Sequence, residues 1–393
     1  MFKFKNFYLA FILFFYFSFT YSQLRIEIKG GIADPINIAV VPMKWELKST
    51  QTTYLHRIIK SDLESFGEFV VLPPESMLSL PTSKEEIYYK DWRLLGVDYL
   101  VIGGIKDSDL EGDTETNYII FDIAREKSIH RGNVIGPIKS LRKIGHKMSD
   151  KIYEKIQGIP GIFSTKLAYI DKPSSEDPNY NLRISDIDGF ESISLFSSPQ
   201  PLMSPSWSPD RKEIAYVSFE EGTSRIFLQE LSSAKRKGLK LEEGINSSPN
   251  WSPNGDMISA VLSKSGNPDL FIYDLEQSSW TQITKHFGID TEPDWSPDSR
   301  SLLFTSNRSG SPQIYEANIK SNRIKRLTFE GTYNARARYL PNGKGIVFVH
   351  RKNMTFQIAL KYFDENFIRP LTDSQLDESP SISPNGNVIV YAI

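Results

Sequence analysis

Five prolines, Pro209, Pro253, Pro297, Pro341 and Pro384, recur at spacings of 44, 44, 44 and 43 residues. The units around them read SPSWSPDRKEIAYV, SPNWSPNGDMISAV, EPDWSPDSRSLLFT, ARARYLPNGKGIVFV and ESPSISPNGNVIVY. A period in the low forties filled with short strands is the signature of β-propeller blades of four strands each. Helical repeats of similar length do not fit, because the apolar runs are short, β-branched or aromatic, and bounded by Pro, Asn and Gly. In each unit the Pro-Asp or Pro-Asn-Gly corner presets φ and turns the chain between an inner strand ending in Trp and a second strand such as EIAYV. That second strand is almost continuously apolar, as expected of a strand covered on both faces by neighbouring blades. Trp207, Trp251 and Trp295 fall at one register, with Tyr339 and Ile382 in the later units, and packing between blades explains them.

The EIAYV-type strand occurs six times, from KLAYI at Lys166 to NVIVY before Ile393. The first copy has no WSP strand before it and the last has no third or fourth strand after it. The expected fold is therefore an α/β amino-terminal domain followed by an all-β, six-bladed propeller over 161–393 whose last blade is incomplete. About 40 further carboxy-terminal residues would close a ring of this period.

Ahead of the propeller, INIAVVPM, EFVVLP and VDYLVIGGI read as strands, and TYLHRIIKSDLESFG and SKEEIYYKDWRLLG read as helices between them. Two further apolar stretches, YIIFDIAR and SIHRGNVIG, suggest antiparallel strands, and SLRKIGHKMSDKIYEKIQG a last helix stopped by Gly158 and Pro160. This makes residues 34–160 a small α/β domain. Residues 1–22 read as a signal peptide: Lys3 and Lys5, an apolar run from Phe7 to Phe19 too short to span a membrane, then Thr20-Tyr21-Ser22. Residues 23–33 are an extended arm.

Charge is nearly balanced, 46 basic against 48 acidic residues, so a nucleic-acid groove is not expected. The absence of cysteine excludes disulfides, thiolate metal sites and a Cys nucleophile. The histidines, His56, His130, His146, His286 and His350, are scattered, with no HExxH and no GxSxG. DSDLEGDTE, Asp107 to Glu115, lacks the twelfth-position glutamate of a calcium loop and reads as a hairpin tip; SDIDG, ending at Gly189, reads as a turn. KRKGLK, Lys235 to Lys240, reads as a solvated turn between outer strands.

Taken together, the leader, the arm LRIEIKGGIADPINIAVVP, and the motifs RISDIDGF, SPQPLMSPSWSPD, TEPDWSPD, LLFTSNRSGSPQIY and DESPSISPNG resemble the TolB family, periplasmic components of the Tol-Pal envelope system. The resemblance covers nearly the whole mature chain in order; the weakened repeats ARARYLPN and SISPN depart from it. It implies a periplasmic, non-enzymatic binding protein, monomeric and not inserted in the membrane after cleavage. Its propeller mouth would hold Pal, a peptidoglycan-associated lipoprotein, and its arm would engage the inner-membrane protein TolA. Such a system supports outer-membrane integrity and constriction at division, and colicins exploit the same surface.

The loops before each inner strand should converge on the mouth. They hold Met203, Ser204, Asn246, Ser248, Thr291, Glu292, Asn334, Arg336, Asp377 and Glu378, a polar mixture suited to a wet protein interface. The arm residues Gln23, Leu24, Arg25, Ile26, Glu27 and Ile28 alternate and could add as a strand. No cofactor is expected, a calcium ion in the channel being left open. The competing readings are a periplasmic propeller hydrolase or lyase and a carbohydrate-binding propeller.

Overall fold

The computed structural model describes residues 34–172, 178–374 and 376–393. The leader, the arm and its residues Gln23, Leu24, Arg25, Ile26, Glu27 and Ile28 lie outside them. No helix among the described residues is long and apolar enough to cross a membrane.

The α/β domain holds strands β1 (Ile36–Val40), β2 (Lys44–Trp45), β3 (Phe69–Leu72), β4 (Tyr99–Asp107), β5 (Asp113–Asp122) and β6 (Lys127–Pro137). Its helices are α1 (Leu55–Glu64), α2 (Tyr89–Leu94) and α3 (Leu141–Gln157). The sheet runs β3-β1-β4-β5-β6, with β2 beside β4. Strand β1 pairs in parallel with β3 and β4, and β4, β5 and β6 follow as antiparallel neighbours. α1 and α3 cover one face over Ile38, Val40, Val101 and Ile120, and α2 covers the other through Trp92. Helix α3 stops where Gly158 turns left-handed at φ 79°.

One helix is shorter than its pattern. SKEEIYYKDWRLLG forms a single 3₁₀ turn over Lys84–Glu86 and then α2, broken by an extended Ile87. Ile87 and Trp92 are both buried in the same cluster. Residues five apart on a helix point about 140° away from each other, so a continuous helix could not bury both.

The propeller begins with a three-stranded sheet, β7 (Lys166–Asp171), β8 (Tyr180–Asp186) and β9 (Ile193–Ser198). Four four-stranded blades follow. They are β10 (Leu202–Trp207), β11 (Glu213–Ser218), β12 (Arg225–Glu230) and β13 (Arg236–Gly238); then β14 (Asn246–Trp251), β15 (Met257–Leu262), β16 (Asp269–Asp274) and β17 (Ser279–Gln282). The next two are β18 (Asp290–Trp295), β19 (Ser301–Ser306), β20 (Gln313–Asn318) and β21 (Ile324–Arg326); and β22 (Tyr333–Tyr339), β23 (Gly345–Lys352), β24 (Thr355–Tyr362) and β25 (Arg369–Pro370). A two-stranded sheet, β26 (Glu378–Ile382) and β27 (Ile389–Ala392), is the incomplete sixth blade. KRKGLK is not a turn: Arg236–Gly238 is the outer strand β13, paired to β12. Arg236 stacks on Phe196, 3.7 Å from guanidinium carbon to ring centre, and pairs with Glu220. Its charge is used in packing, which a composition reading could not see.

Each blade boundary is sealed the same way. Trp251 packs on Ala215, Val217 and Leu228 of the preceding blade, Trp295 on Val261, Leu270 and Ile272, and Tyr339 on Leu303 and Ile314. Trp207 and Ile382 do the same more openly. The corner itself hangs on its serine. Ser208, Ser252 and Ser296 are buried, and each hydroxyl accepts from the backbone N–H five residues on, at 2.9, 3.0 and 2.9 Å. Ser208 and Ser296 also donate to Asp210 and Asp298, at 2.7 and 2.6 Å, and these contacts hold both carboxyls below the usual carboxylate range.

The α/β domain meets the propeller on the corner side. Asn385, in the corner of the sixth blade, donates to the Pro160 carbonyl at 2.9 Å, and Asp188, in the β8–β9 turn, pairs with Arg142 of α3. The opposite side, where the inner strands begin, is the mouth.

Candidate functional site

At the mouth each inner strand carries a β-bulge. Register shifts fall between Met203 and Ser206, Ser247 and Asn250, Thr291 and Asp294, Ala335 and Arg338, and Glu378 and Ser381. One residue of each bulge is left-handed: Ser204, Ser248, Glu292, Arg336 and Ser379, with φ of 53°, 48°, 57°, 55° and 54°. None is glycine, and a left-handed non-glycine residue costs roughly 1–2 kcal/mol. Five repetitions of that cost in one ring mark a built feature, and bulges of this kind re-aim side chains.

The bulge side chains are joined across blades. Arg336 Nε lies 2.8 Å from Glu292 Oε1, and Arg336 Nη1 lies 3.2 Å from Glu378 Oε2. Thr305 donates to Glu292 Oε2 at 2.8 Å, and the Arg336 backbone N–H reaches the same oxygen at 3.0 Å. All three charged side chains retain solvent exposure. A second layer lies two residues deeper. Asp294 accepts from Asn250 Nδ2 at 3.3 Å and from the Tyr339 N–H at 2.9 Å. Burial pushes its carboxyl up against the pull of Arg338, 3.7 Å away.

The ten mouth residues expected from the sequence thus divide. Met203, Ser204, Ser248, Thr291, Glu292, Arg336 and Glu378 sit on the bulges and are at least partly exposed. Asn246, Asn334 and Asp377 are instead buried, 2%, 0% and 0% exposed. Asn246 Nδ2 donates to the Glu242 and Gly244 carbonyls at 2.8 and 3.1 Å. Asn334 Nδ2 donates to Gln313 and to the Glu330 carbonyl, both at 2.8 Å. Asp377 accepts from Thr372 and Ser374. These three stand at or next to the first residue of their inner strands and tie down the loops before them, so the polar type that suggested recognition serves the fold.

Those loops present an apolar surface that the sequence reading passed over. Phe287 is 86% exposed and Phe329 73%, with Ile245, Ile289 and Leu376 also exposed. The signal was available: an aromatic or aliphatic residue precedes the strand-initiating Asn or Asp by a few positions in successive units.

Among the described residues, ligand-type atoms of Asp62, His146 and Asp188 gather within 4.8 Å. They already face partners, Nδ1 of His146 at Asp62 and Asp188 at Arg142, so the group reads as a charge cluster between domains.

The fold and mouth define a two-domain propeller built to present one polar, apolar-rimmed face. Residues 153–393 match the family model of the TolB beta propeller domain, and residues 24–129 that of the TolB amino-terminal domain. The chain belongs to the TolB family. It is 37% identical over 228 residues to the Tol-Pal system protein TolB of Alcanivorax borkumensis, covering 58% of this chain and 52% of that one. The corresponding protein of Pseudomonas fluorescens is 38% identical over 228 residues, with the same shares. The match thus spans about half the length of these relatives. The crystal structure of TolB from Acinetobacter baumannii superposes with a TM-score of 0.84 at 35% identity, over 93% of this chain and 90% of that one.

Proposed function

We propose that this chain is the propeller component of a Tol-Pal system in the periplasm, and that its mouth holds a Pal-like lipoprotein. Family membership supports the system; the observation that carries the site is the ring of bulges whose charged members Glu292, Arg336 and Glu378 join three blades at the face away from the α/β domain. Bulge residues supply polar contacts and the exposed Phe287 and Phe329 supply aromatic anchors, two kinds of contact that protein–protein interfaces combine. The arm 23–33 is proposed to engage a TolA-like inner-membrane protein, and the pair of contacts to serve outer-membrane integrity and envelope constriction during division. A hydrolase, a lyase or a carbohydrate-binding propeller would need a convergent set of reactive or sugar-stacking groups, and among the described residues no observation at the mouth favours one.

The test is calorimetric titration of the mature chain with the soluble domain of a Pal-like lipoprotein. Binding is expected, and Phe287→Ala with Phe329→Ala should weaken it about tenfold or more, as loss of buried aromatic anchors does. Deleting residues 23–33 should abolish capture of a TolA-like protein and leave the lipoprotein bound. No binding of the lipoprotein by the intact chain would overturn the assignment.

A further inference from the structure

Away from the mouth, a group of charged side chains gathers around the buried Asp62, His146 and Asp186 where the α/β domain meets the first propeller sheet. Asp62 on α1 is 4% exposed and His146 on α3 1%. The two helices close tightly here because residue 145 is glycine: a Cβ on Gly145 would lie 2.9 Å from Ile58 Cγ2. His146 Nδ1 faces the two Asp62 oxygens at 3.0 and 2.9 Å. Nε2 points across the seam to Asp186 Oδ2, 3.8 Å away, and neither of these two buried atoms has a hydrogen-bond partner. Asp186, at the end of β8, also takes Lys166 Nζ of β7 at 2.6 Å. Arg142, one turn before His146, pairs with Asp188 and lies 3.7 Å from Asp186.

The other charges around α3 are placed elsewhere. Lys143 turns to Glu191 of the β8–β9 turn. Asp150, one turn beyond His146, accepts from the Phe163 and Ser164 N–H groups, within electrostatic reach of Asp62. β6, also packed on α3, brings His130 beside Lys151, Lys155 and Glu154 at the far end of the helix. The cluster itself therefore contains three carboxylates, Asp62, Asp186 and Asp188, against two fixed cations, Arg142 and Lys166. A neutral imidazole leaves one negative charge of the cluster uncompensated beside the buried Asp62 and Asp186 and sets the Nε2 lone pair against a carboxylate oxygen. A protonated one cancels the charge and turns an N–H toward that oxygen.

We propose that protonated His146 is a latch that holds the α/β domain to the first propeller sheet, and that loss of its proton loosens the seam. Burial opposes the charged ring, but the hydrogen bond and charge of Asp62, helped by Asp188, outweigh it and the repulsion of Arg142, so the ring keeps its proton above its ordinary range. A histidine whose folded pKa is raised contributes stability that is whole below the unfolded value of about 6.5 and is lost as pH rises through the folded value. The seam is thus tight in acid and slackens on the alkaline side. The arrangement couples a proton to the angle between domains on the face opposite the mouth, a regulatory input separate from partner binding.

The absence of cysteine allows a direct test. Lys90→Cys on α2 and Lys320→Cys in the β20–β21 turn, both exposed positions, are introduced into the full mature chain and labelled with a donor and acceptor dye. Single-molecule transfer efficiencies are recorded from pH 5.5 to 9. The distribution is expected to be narrow in acid and to broaden as pH rises, and His146→Gln should make it broad throughout. Asp188→Asn, at the edge of the cluster, removes a charge that favours the proton and should move the midpoint to lower pH. An unchanging distribution in the parent, a transition that survives His146→Gln, or an Asp188→Asn midpoint that does not move would each overturn the latch. Should His146→Gln fail to fold, the Asp188→Asn midpoint decides alone.

Discussion

Trp295 donates its indole N–H to the Asn250 carbonyl across the blade boundary at 3.0 Å, whereas the indole nitrogen of Trp251 is buried without a partner. Removing a partner strands the other group at a cost of about 1 kcal/mol or more. Trp295→Phe should therefore destabilise the chain by roughly 1 kcal/mol more than Trp251→Phe, read from urea denaturation midpoints at constant slope. The corner supplies a second comparison. Its fourth position is left-handed in every unit, filled by Gly255, Gly343 and Gly386 but by Arg211 and Ser299 in two others. Ser299→Gly should stabilise by roughly 0.5–1 kcal/mol, since relief of left-handed strain exceeds the added chain entropy. The Trp register and the Pro-Asp corners were legible in the sequence because each is a chemical type repeated at one spacing. The serine that pins the corner was equally repeated, yet a hydroxyl in a turn attracts no attention until its backbone donors are in place.

At the scale of elements, period and composition were sufficient for strands β10 to β24 apart from β13, and for α1 and α3, whose apolar faces are long and regular. They failed where two elements compete for one residue. The broken α2 follows from Ile87 and Trp92 needing the same core, a tertiary demand that helical periodicity does not carry. The three-residue β13 was hidden in a basic run because its Arg236 is half-buried by aromatic stacking. The bulges were hidden for a different reason: a left-handed Ser, Glu or Arg leaves no mark in a sequence, where only glycine advertises positive φ. So the loops of the candidate site could be placed from the sequence, but not the division into Asn246, Asn334 and Asp377, which hold them, and Glu292, Arg336 and Glu378, which face outward.

For the whole molecule, the half-buried Asp294 makes stability depend on pH in a direction opposite to the usual acid loss. Its folded carboxyl is raised by burial, so between the ordinary carboxylate value near 3.9 and the raised one the folded chain binds more protons than the unfolded chain, and stability falls as pH rises across that window. Asp294→Asn, which keeps an acceptor for the Tyr339 N–H, should flatten this slope in denaturation series from pH 4 to 7 while changing stability at pH 4 by about 1 kcal/mol or less. An unchanged slope would place the titration elsewhere.

The ring of bulges has a consequence for how such a chain assembles. Successive units of nearly equal length and similar strands invite mispairing, in which an inner strand docks against a foreign blade or slides by a residue. A bulge permits only one registration, because a displaced strand would put the left-handed residue opposite a regular ladder. Beyond it, the groups that tether one blade to the next differ from boundary to boundary: Ser206 receives the Trp251 backbone N–H, the Asn250 carbonyl receives the Trp295 indole N–H, and at the next boundary Asp294 and Glu292 receive the backbone N–H groups of Tyr339 and Arg336. The same residues that shape the mouth thereby act as addresses, telling each blade which neighbour is its own.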